Sequence, residues 1–351
     1  MNAQIVHMKS FVTIRRECFL PQEGKVLVRK GQHVLPDEVL AVCESLPEYL
    51  LFDYARGLGL PAQKADRLLQ VKVGQEIEEK DILAGPVGWA KRVVRSSKKG
   101  KVVLAGDGQL LLGVVKPPFE LKAGFEAIVA DLIAGRGVIL ETNGDLIQGI
   151  WGNGKCSSGV LMNPYQAAEE ELSAEHFTLD MRDAVLMGGW VSKPSTLKSA
   201  AEFPLRGVIL GGLAANLIGL AREMPYPILV LDGFGAIGMN SLAYQILSKN
   251  ERKQISINAG EWDRLNGTRP EAIVGLSEIE SEEMVSDLVE LSAGQTVRIC
   301  NSPYIGKIGH LERIIPGRTI LSNGISIHAG EILLEDGEKV ISPLDNIEVI
   351  L

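Results

Sequence analysis

The sequence predicts a multidomain protein in which a central α/β layer with a parallel sheet lies between two β-rich segments. Three observations predict this fold class. The chain has 351 residues, more than the roughly 250–300 that a single hydrophobic core usually serves. Between Leu205 and Ile257, short aliphatic runs alternate with stretches of helical period, and Gly or Pro marks each change. Such alternation is typical of βαβ units. On either side of it, short strands and glycine turns prevail.

The central layer, predicted over residues 119–275, contains four parallel strands. They are expected at 184–189, 207–210, 228–231 and 255–257, with helices at 195–203, 213–224 and 239–247. The second helix has one apolar face, formed by Leu213, Leu217, Leu220 and Ala221. Right-handed crossovers would complete a Rossmann-like layer. Earlier in this segment, Asn143-Gly144 predicts a hairpin, because both central positions of a type I′ turn take positive φ.

A glycine-rich loop after the third predicted strand is the candidate ligand site. Open parallel sheets bind ligands beyond the carboxyl ends of their strands, and a helix N-terminus can hold a phosphate or carboxylate. The glycines match the G-x-G-x-x-G spacing, but Asn258 stands where a dinucleotide site needs an acidic residue. A small anionic ligand is therefore expected, with these candidate residues: Asp232, Gly233, Gly235, Gly238 and Asn240. No nucleophile–base pair accompanies them, so the sequence leans away from an enzyme and predicts no catalytic residue and no cofactor.

The N-terminal segment, residues 1–118, contains one β pattern twice. Phe19–Ala41 and Leu68–Ala84 each have a Val, a Gly-Gln turn, an aliphatic residue, a short acidic stretch and a final strand ending in Leu-Ala. The pattern resembles the barrel-sandwich hybrid, the fold of lipoyl and biotinyl carriers and of membrane-fusion adaptors. The resemblance implies a β domain. A carrier's modified lysine would follow Asp or lie in Met-Lys-Met, and neither setting occurs, so carrier activity is not expected.

A basic run in this segment is the second candidate site. It comprises Lys91, Arg92, Arg95, Lys98, Lys99 and Lys101. A solvated hairpin would explain these residues, because lysines protect sheet edges from pairing. An acidic protein or a nucleic acid could also bind them. Residues 1–122 hold 19 Lys+Arg and 14 Asp+Glu, whereas the rest of the chain holds 17 and 30. This acidic body disfavours extensive nucleic-acid binding.

An acidic connector at residues 276–292 precedes a C-terminal segment of short strands at 293–351. The positions of Gly294, Val297, Ile299, Pro303, Gly306 and Gly309 resemble a KOW motif within an SH3-like small β barrel. In transcription-elongation and ribosomal proteins such domains contact RNA or protein. Five Lys+Arg against seven Asp+Glu in residues 294–351 favour a protein partner.

The remaining features indicate an ordinary cytoplasmic chain. The four cysteines lie far apart and never as C-x-x-C, so no metal site is predicted. No apolar run reaches the roughly 18 residues of a membrane span, and Met1–His7 lacks the features of a secretory signal.

The sequence is compatible with three functions. The first is a non-enzymatic interaction or assembly protein with a protein partner. The second is a sensor or enzyme that binds a small anion at the loop 232–240. The third is an RNA-associated factor that uses the KOW-like segment and the basic run at 91–101.

Overall fold

The computed structural model describes residues 3–89, 91–114, 116–165, 167–263, 268–275, 289–321 and 323–351. The N-terminal elements are β1 (Gln4–Val6), β2 (Met8–Phe19), β3 (Lys25–Val26), β4 (His33–Val34), β5 (Val39–Cys43), β6 (Glu48–Asp53), α1 (Tyr54–Leu58), α2 (Ala62–Asp66), β7 (Glu76–Ile77), β8 (Ile82–Val87), β9 (Arg92–Arg95), β10 (Gly100–Gly106) and β11 (Gln109–Val114).

The central elements are β12 (Phe119–Lys122), β13 (Ala127–Ile133), β14 (Gly137–Gln148), β15 (Trp151–Gly152), β16 (Cys156–Met162), β17 (Ala184–Val191), α3 (Pro194–Glu202), β18 (Gly207–Leu213), α4 (Ile218–Glu223), β19 (Ile228–Phe234), α5 (Ser241–Lys249), β20 (Gln254–Asn258) and β21 (Glu271–Gly275). The C-terminal strands are β22 (Thr296–Ile299), β23 (Ile308–Ile314), β24 (Thr319–Ile320), β25 (Ser326–Ile327), β26 (Ala329–Leu334), β27 (Lys339–Pro343) and β28 (Ile347–Ile350). Short 3₁₀ helices occupy Ala174–His176, Leu179–Met181, Ala215–Leu217 and Leu344–Asn346.

The largest sheet has 11 strands, in the order β15-β19-β18-β17-β16-β20-β21-β14-β13-β4, with β2 paired to β14. The strands from β16 to β19 are parallel to one another. Their neighbours β15 and β20 pair with them antiparallel. Aliphatic side chains on both faces of this region form two buried clusters, one of which includes α5. The sheet is therefore mixed, with a parallel centre.

The predicted fold class is wrong, because the protein is mostly β, with 47% strand and 14% helix, and has no Rossmann-like layer among the described residues. Three of the expected strands are present as β17, β18 and β19. The fourth, β20, pairs antiparallel with both its neighbours. Among the residues that the structure describes, the helices have at most nine residues. In the predicted second helix, Leu213 is instead the last residue of β18, and Ala215–Leu217 form a 3₁₀ turn. The apolar side chain of Leu213 is buried in the strand, so its burial does not require a helix.

The predicted hairpin at Asn143-Gly144 is also wrong, because both residues lie inside the 12-residue strand β14. A Cβ atom at Gly144 would lie 2.2 Å from the carbonyl oxygen of Val274 on β21. The glycine thus permits close approach of two strands. The Asn143 side chain accepts a hydrogen bond from Thr13 Oγ1 on β2 at 2.8 Å. Sheet pairing along both edges of β14 outweighs the local turn preference.

The N-terminal segment contains a four-stranded sheet in the order β6-β11-β10-β7, a three-stranded sheet β12-β5-β3, and the hairpin β8-β9. One face of the four-stranded sheet packs on α1 around Tyr54, Leu58, Leu110 and Leu112. The strands β2 and β4 join the large sheet instead. The barrel-sandwich resemblance and the domain boundary at 118 stay predictions.

The C-terminal sheet has the order β1-β28-β22-β23-β26-β27, so the N-terminal strand β1 closes one of its edges. Its core is formed by Val297, Ile299, Leu311, Ile332 and Val349. The KOW-like resemblance stays a prediction. Of the predicted connector at 276–292, residues 276–288 lie outside the described residues. No helix in the described ranges is long and apolar enough to cross a membrane.

Candidate functional site

The predicted ligand loop follows β19, but its polar residues bind one another. Asp232 is buried. Its carboxylate accepts hydrogen bonds from the backbone N–H of Asn240 and from the Asn240 side-chain amide, both at 2.9 Å. The Asn240 side chain in turn caps α5, accepting from the backbone N–H of Ala243 at 2.9 Å. The structure thus brings Asp232 and Asn240 together, and these contacts fix the loop in place.

The glycines of this region allow backbones to pack closely. A Cβ at Gly211 in β18 would lie 2.3 Å from the backbone nitrogen of Met239. A Cβ at Gly238 would lie 3.0 Å from Cα of Glu169, and one at Gly233 would lie 3.1 Å from the Ile305 side chain. Gly235 has a φ of 132°, which side chains rarely adopt. Close packing therefore explains Gly211, Gly233 and Gly238, and positive φ explains Gly235.

A guanidinium from the C-terminal sheet occupies the inner side of the loop. Arg298 on β22 is fully buried. It donates to the carbonyl oxygen of Leu231 at 2.7 Å, to Asp232 Oδ1 at 3.0 Å and to a carboxylate oxygen of Glu348. Glu348 also pairs with Arg269 at 2.7 Å. We call Asp232, Arg298, Glu348 and Arg269 the buried charge chain.

Burial and pairing act in opposite directions on these charges. Burial raises the pKa of Asp232, against the opposing effects of Arg298 and Asn240. Burial also opposes ionisation of Glu348, but Arg298 and Arg269 hold its pKa below the usual value. For Arg298, burial opposes the charge, yet Glu348 and Asp232 raise its pKa. The guanidinium therefore stays charged.

A cleft of about 610 Å³ opens between the loop 234–241 and the C-terminal segments 302–308 and 334–336. Its ionisable lining comprises Glu169, Glu335, Asp336 and Lys307. Lys307 pairs with Asp336 at 2.7 Å. This balance repels an anion, in contrast to the expected anionic ligand. No His or Cys lines the cleft, and within the described ranges no three His, Cys, Asp or Glu side chains gather as a metal site requires.

The predicted basic run is divided among several intramolecular contacts. Lys98 pairs with Glu48 at 2.8 Å and Lys99 with Glu78 at 2.6 Å. Lys116 and Lys98 lower the pKa of Glu48 to about 2. The remaining members behave differently. Arg92 donates to the carbonyl oxygen of Leu58 and Arg95 to that of Lys80, whereas Lys91 and Lys101 are exposed. The run therefore does not form one uniformly basic surface.

An apolar surface that the sequence analysis missed lies on the open face of the four-stranded sheet. Leu51 on β6, Leu111 on β11 and Leu104 on β10 are paired in register and so share that face. Tyr49 and Val103 lie beside them. Both approach the Cβ position of Gly113, at 3.7 Å for Tyr49 and 3.1 Å for Val103. Leu104, Leu51 and Tyr49 are 63%, 62% and 55% exposed. We call Tyr49, Leu51, Val103, Leu104 and Leu111 the exposed sheet face.

A sequence signal for this surface was present. A strand with one face in water alternates apolar and polar residues. Instead, Leu50-Leu51, Val102-Val103-Leu104 and Leu110-Leu111-Leu112 are consecutive apolar runs in three neighbouring strands. Leu50, Val102, Leu110 and Leu112 belong to the core on the other face. The alternate members of each run must therefore form a second apolar face, which the structure leaves uncovered among the described residues.

Neither a known protein-family model nor a curated protein sequence matches this chain. Any assignment of function therefore depends on the geometry of the residues themselves.

Proposed function

We propose that this chain is a non-enzymatic interaction protein that binds a protein partner through the exposed sheet face. The observation that carries the proposal is the apolar row Leu51, Leu111 and Leu104 on the solvent side of a sheet whose opposite side already forms a core. Contiguous apolar patches on soluble domains mark interaction sites. A protein surface provides the large, flat apolar area that a small ligand lacks.

The energy available at this surface is appreciable. Fully burying a leucine side chain contributes roughly 1.5–3 kcal/mol. Leu51 and Leu104 are 62% and 63% exposed, so covering each of them contributes roughly 1–2 kcal/mol. Tyr49 adds a large side chain with few rotatable bonds, of the kind enriched at binding hot spots. The cleft has a mixed lining, in which apolar side chains such as Phe234 and Ile305 alternate with the charged Glu169, Glu335, Asp336 and Lys307.

The two alternatives have weaker support. For an anion sensor, the predicted residues Asp232 and Asn240 bond to each other, and the nearby cleft carries three carboxylates against one lysine. For an RNA-associated factor, Lys98 and Lys99 are already paired with carboxylates. Phosphate recognition requires cations that are free to neutralise the backbone.

The proposal is tested by comparing three forms of the full chain as bait and in self-association assays. They are the wild type, the double variant Leu51→Glu with Leu104→Glu, and the control Leu179→Glu. Leu179 is 80% exposed but lies in a 3₁₀ turn that is not part of the four-stranded sheet. We expect the double variant to lose a specific protein association that the wild type and the control retain. Equal binding by all three forms would refute the proposal.

A further inference from the structure

We infer that the tip of the β8–β9 hairpin docks on the surface of a lipid bilayer that contains anionic phospholipid. The inference is independent of the proposed function, because it concerns a different surface. Leu83 and Val94 of the hairpin pack with Leu110 and Leu112 on the covered side of the four-stranded sheet. The hairpin and the exposed sheet face therefore lie on opposite sides of that sheet.

The tip of the hairpin carries a tryptophan that is surrounded by solvent. Trp89 lies in the turn between β8 and β9 and is 105% exposed. The other three tryptophans of the chain, Trp151, Trp190 and Trp262, are partly buried. Tryptophan side chains are highly buried on average in folded proteins. A bilayer interface suits an exposed indole, because the ring meets an apolar region while its N–H stays hydrated.

Two cations flank Trp89 within the hairpin. Lys91 lies in the same turn, and Arg92 is the first residue of β9, where it pairs with Val87 in register. Both Lys91 and Arg92 are exposed. Arg92 donates a long hydrogen bond of 3.4 Å to the carbonyl oxygen of Leu58, and within the described ranges neither cation pairs with a carboxylate.

A third cation, Arg67, approaches the tip from the segment that follows α2. Leu69 in this segment forms an antiparallel bridge with Ala84 of β8. Continuing that register by two residues places Arg67 near Pro86, three positions before Trp89. Arg67 is exposed, and it forms no ion pair with any residue that the structure describes. Three cations thus border the tryptophan.

The charge around the tip is opposite to that of the whole chain. Residues 82–106 contain six Lys+Arg and no Asp or Glu, although the net charge of the protein is −8. Asp66 is adjacent to Arg67, but its carboxylate accepts hydrogen bonds from the Tyr54 hydroxyl and from the backbone N–H of Gly108. A local basic region on an acidic protein attracts an anionic surface and orients the protein toward it. Bilayers that contain phosphatidylserine present such a surface.

The shape of the tip favours a bilayer over a nucleic acid or an acidic protein. Single-stranded nucleic acids bind along basic grooves in which several aromatic side chains stack on successive bases. Trp89 is the one Phe, Trp or Tyr between positions 55 and 118, and it projects from a turn. A protein partner would need a pocket for this ring, whereas a bilayer accepts it at any point of its surface. The ring would lie at the headgroup level, where Lys and Arg can reach the phosphates.

Co-sedimentation of the full chain with phospholipid vesicles tests the inference. Vesicles of phosphatidylcholine alone are compared with vesicles that also contain about 30% phosphatidylserine, at about 100 mM salt. We expect the wild type to partition at least about tenfold more strongly onto the anionic vesicles, since each nearby cation contributes a factor of about five. Raising the salt to about 500 mM should remove most of this preference.

Two variants separate the contribution of the ring from that of the charges. Trp89→Ala should lower the partition coefficient on anionic vesicles at least about fivefold. It should also abolish the blue shift of tryptophan emission that these vesicles cause in the wild type. The control Leu179→Ala removes another exposed apolar side chain and should leave both measurements unchanged. Arg67→Gln with Lys91→Gln should lower the partition coefficient about 25-fold.

Lys98→Gln with Lys99→Gln is the matched control for charge. It removes the same number of cations, but these lysines lie beyond the opposite end of β9 and are paired with Glu48 and Glu78. We expect a change of less than about twofold in the partition coefficient, because screening weakens their effect at the tip. Far-UV circular dichroism confirms that each variant is folded.

Three outcomes would overturn the inference. The first is a wild type that does not bind anionic vesicles, or that binds neutral vesicles equally well. The second is unchanged vesicle binding in both Trp89→Ala and Arg67→Gln with Lys91→Gln, which would place the contact elsewhere. The third is binding of generic RNA or polyglutamate, without vesicle binding, that Arg67→Gln with Lys91→Gln abolishes. That result would assign the tip a different occupant. The bait comparison above decides the proposed function separately, because its variants leave the hairpin unchanged.

Discussion

Replacing Arg298 with Met should destabilise the protein by about 3–5 kcal/mol at neutral pH. The guanidinium is fully buried and donates to Asp232, to Glu348 and to the carbonyl oxygen of Leu231. Two hydrogen bonds to charged acceptors contribute about 1.5–3 kcal/mol each. Met retains most of the volume of the side chain but leaves the buried Asp232 carboxylate without its cation and leaves Glu348 with Arg269 as its remaining partner. The expected loss is large against a typical total stability of about 5–15 kcal/mol.

Urea unfolding followed by circular dichroism measures this loss, and Arg313→Met is the matched control. Arg313 pairs with Glu331 at 2.6 Å, but its side chain is 67% exposed. Exposed pairs contribute at most about 1 kcal/mol. Adding Asp232→Asn to Arg298→Met should recover part of the lost stability, since the uncompensated Asp232 charge disappears while Glu348 keeps its pairing with Arg269. If Arg298→Met costs no more than Arg313→Met, the buried charge chain does not stabilise the fold as argued.

Three further predictions concern acid, close packing and RNA. The folded-state pKa of Glu348 is lowered by its arginine partners, so its stabilising contribution is present above the unfolded pKa of about 4.3 and is lost as pH falls through the folded value. Glu348→Gln should accordingly lose less stability than the wild type on acidification through this range, as measured by urea midpoints. Gly211→Ala should lower the free energy of unfolding by about 1–3 kcal/mol, because the new Cβ would lie 2.3 Å from the Met239 backbone nitrogen. The control Gly219→Ala has no atom within 4 Å of its Cβ position and should stabilise α4 slightly. Equal shifts of the melting temperature in the two variants would contradict the packing argument. In fluorescence anisotropy with generic RNA at physiological salt, we expect the wild type and the variant Lys98→Glu with Lys99→Glu to behave alike. Salt-dependent RNA binding by the wild type that is lost in the variant would favour the RNA alternative.

Local sequence pattern predicted strands better than it predicted their partners. The aliphatic runs at 184–189, 207–210 and 228–231 are the parallel strands β17, β18 and β19. The equally aliphatic run at 255–257 pairs antiparallel, because strand direction depends on the course of the chain and leaves no local signature. Long-range pairing also overrides the hairpin predicted at Asn143-Gly144, which lies inside β14. A turn dipeptide continues a strand when β2 and β21 pair along both of its edges.

For the candidate site, too, the sequence indicated residues but not their contacts. The sequence singled out Asp232 and Asn240 as ligand-binding candidates after a buried strand, but their hydrogen-bond partners within the chain were not predictable. The decisive contact is with Arg298, 66 positions further along the chain. The exposed sheet face could have been predicted, since three consecutive apolar runs exceed what one buried face needs. The Gly-Gln turns of this segment indicate where strands begin, but they carry no information on which face of β6, β10 and β11 is covered.

In the loop after β19, the polar groups of the predicted ligand site are bound within the chain. Parallel strands leave a crevice at their carboxyl ends, where other proteins bind anions. In this chain the C-terminal segment enters that space: Ile305 approaches Gly233, Gly306 lies against Asp232, and Arg298 provides the cation that Asp232 pairs with. Residues of the C-terminal segment thus fill the space beside Gly233 and Asp232. Since the polar groups there bind one another, our proposal places partner binding on the exposed sheet face, where burial of Leu51 and Leu104 would contribute binding energy.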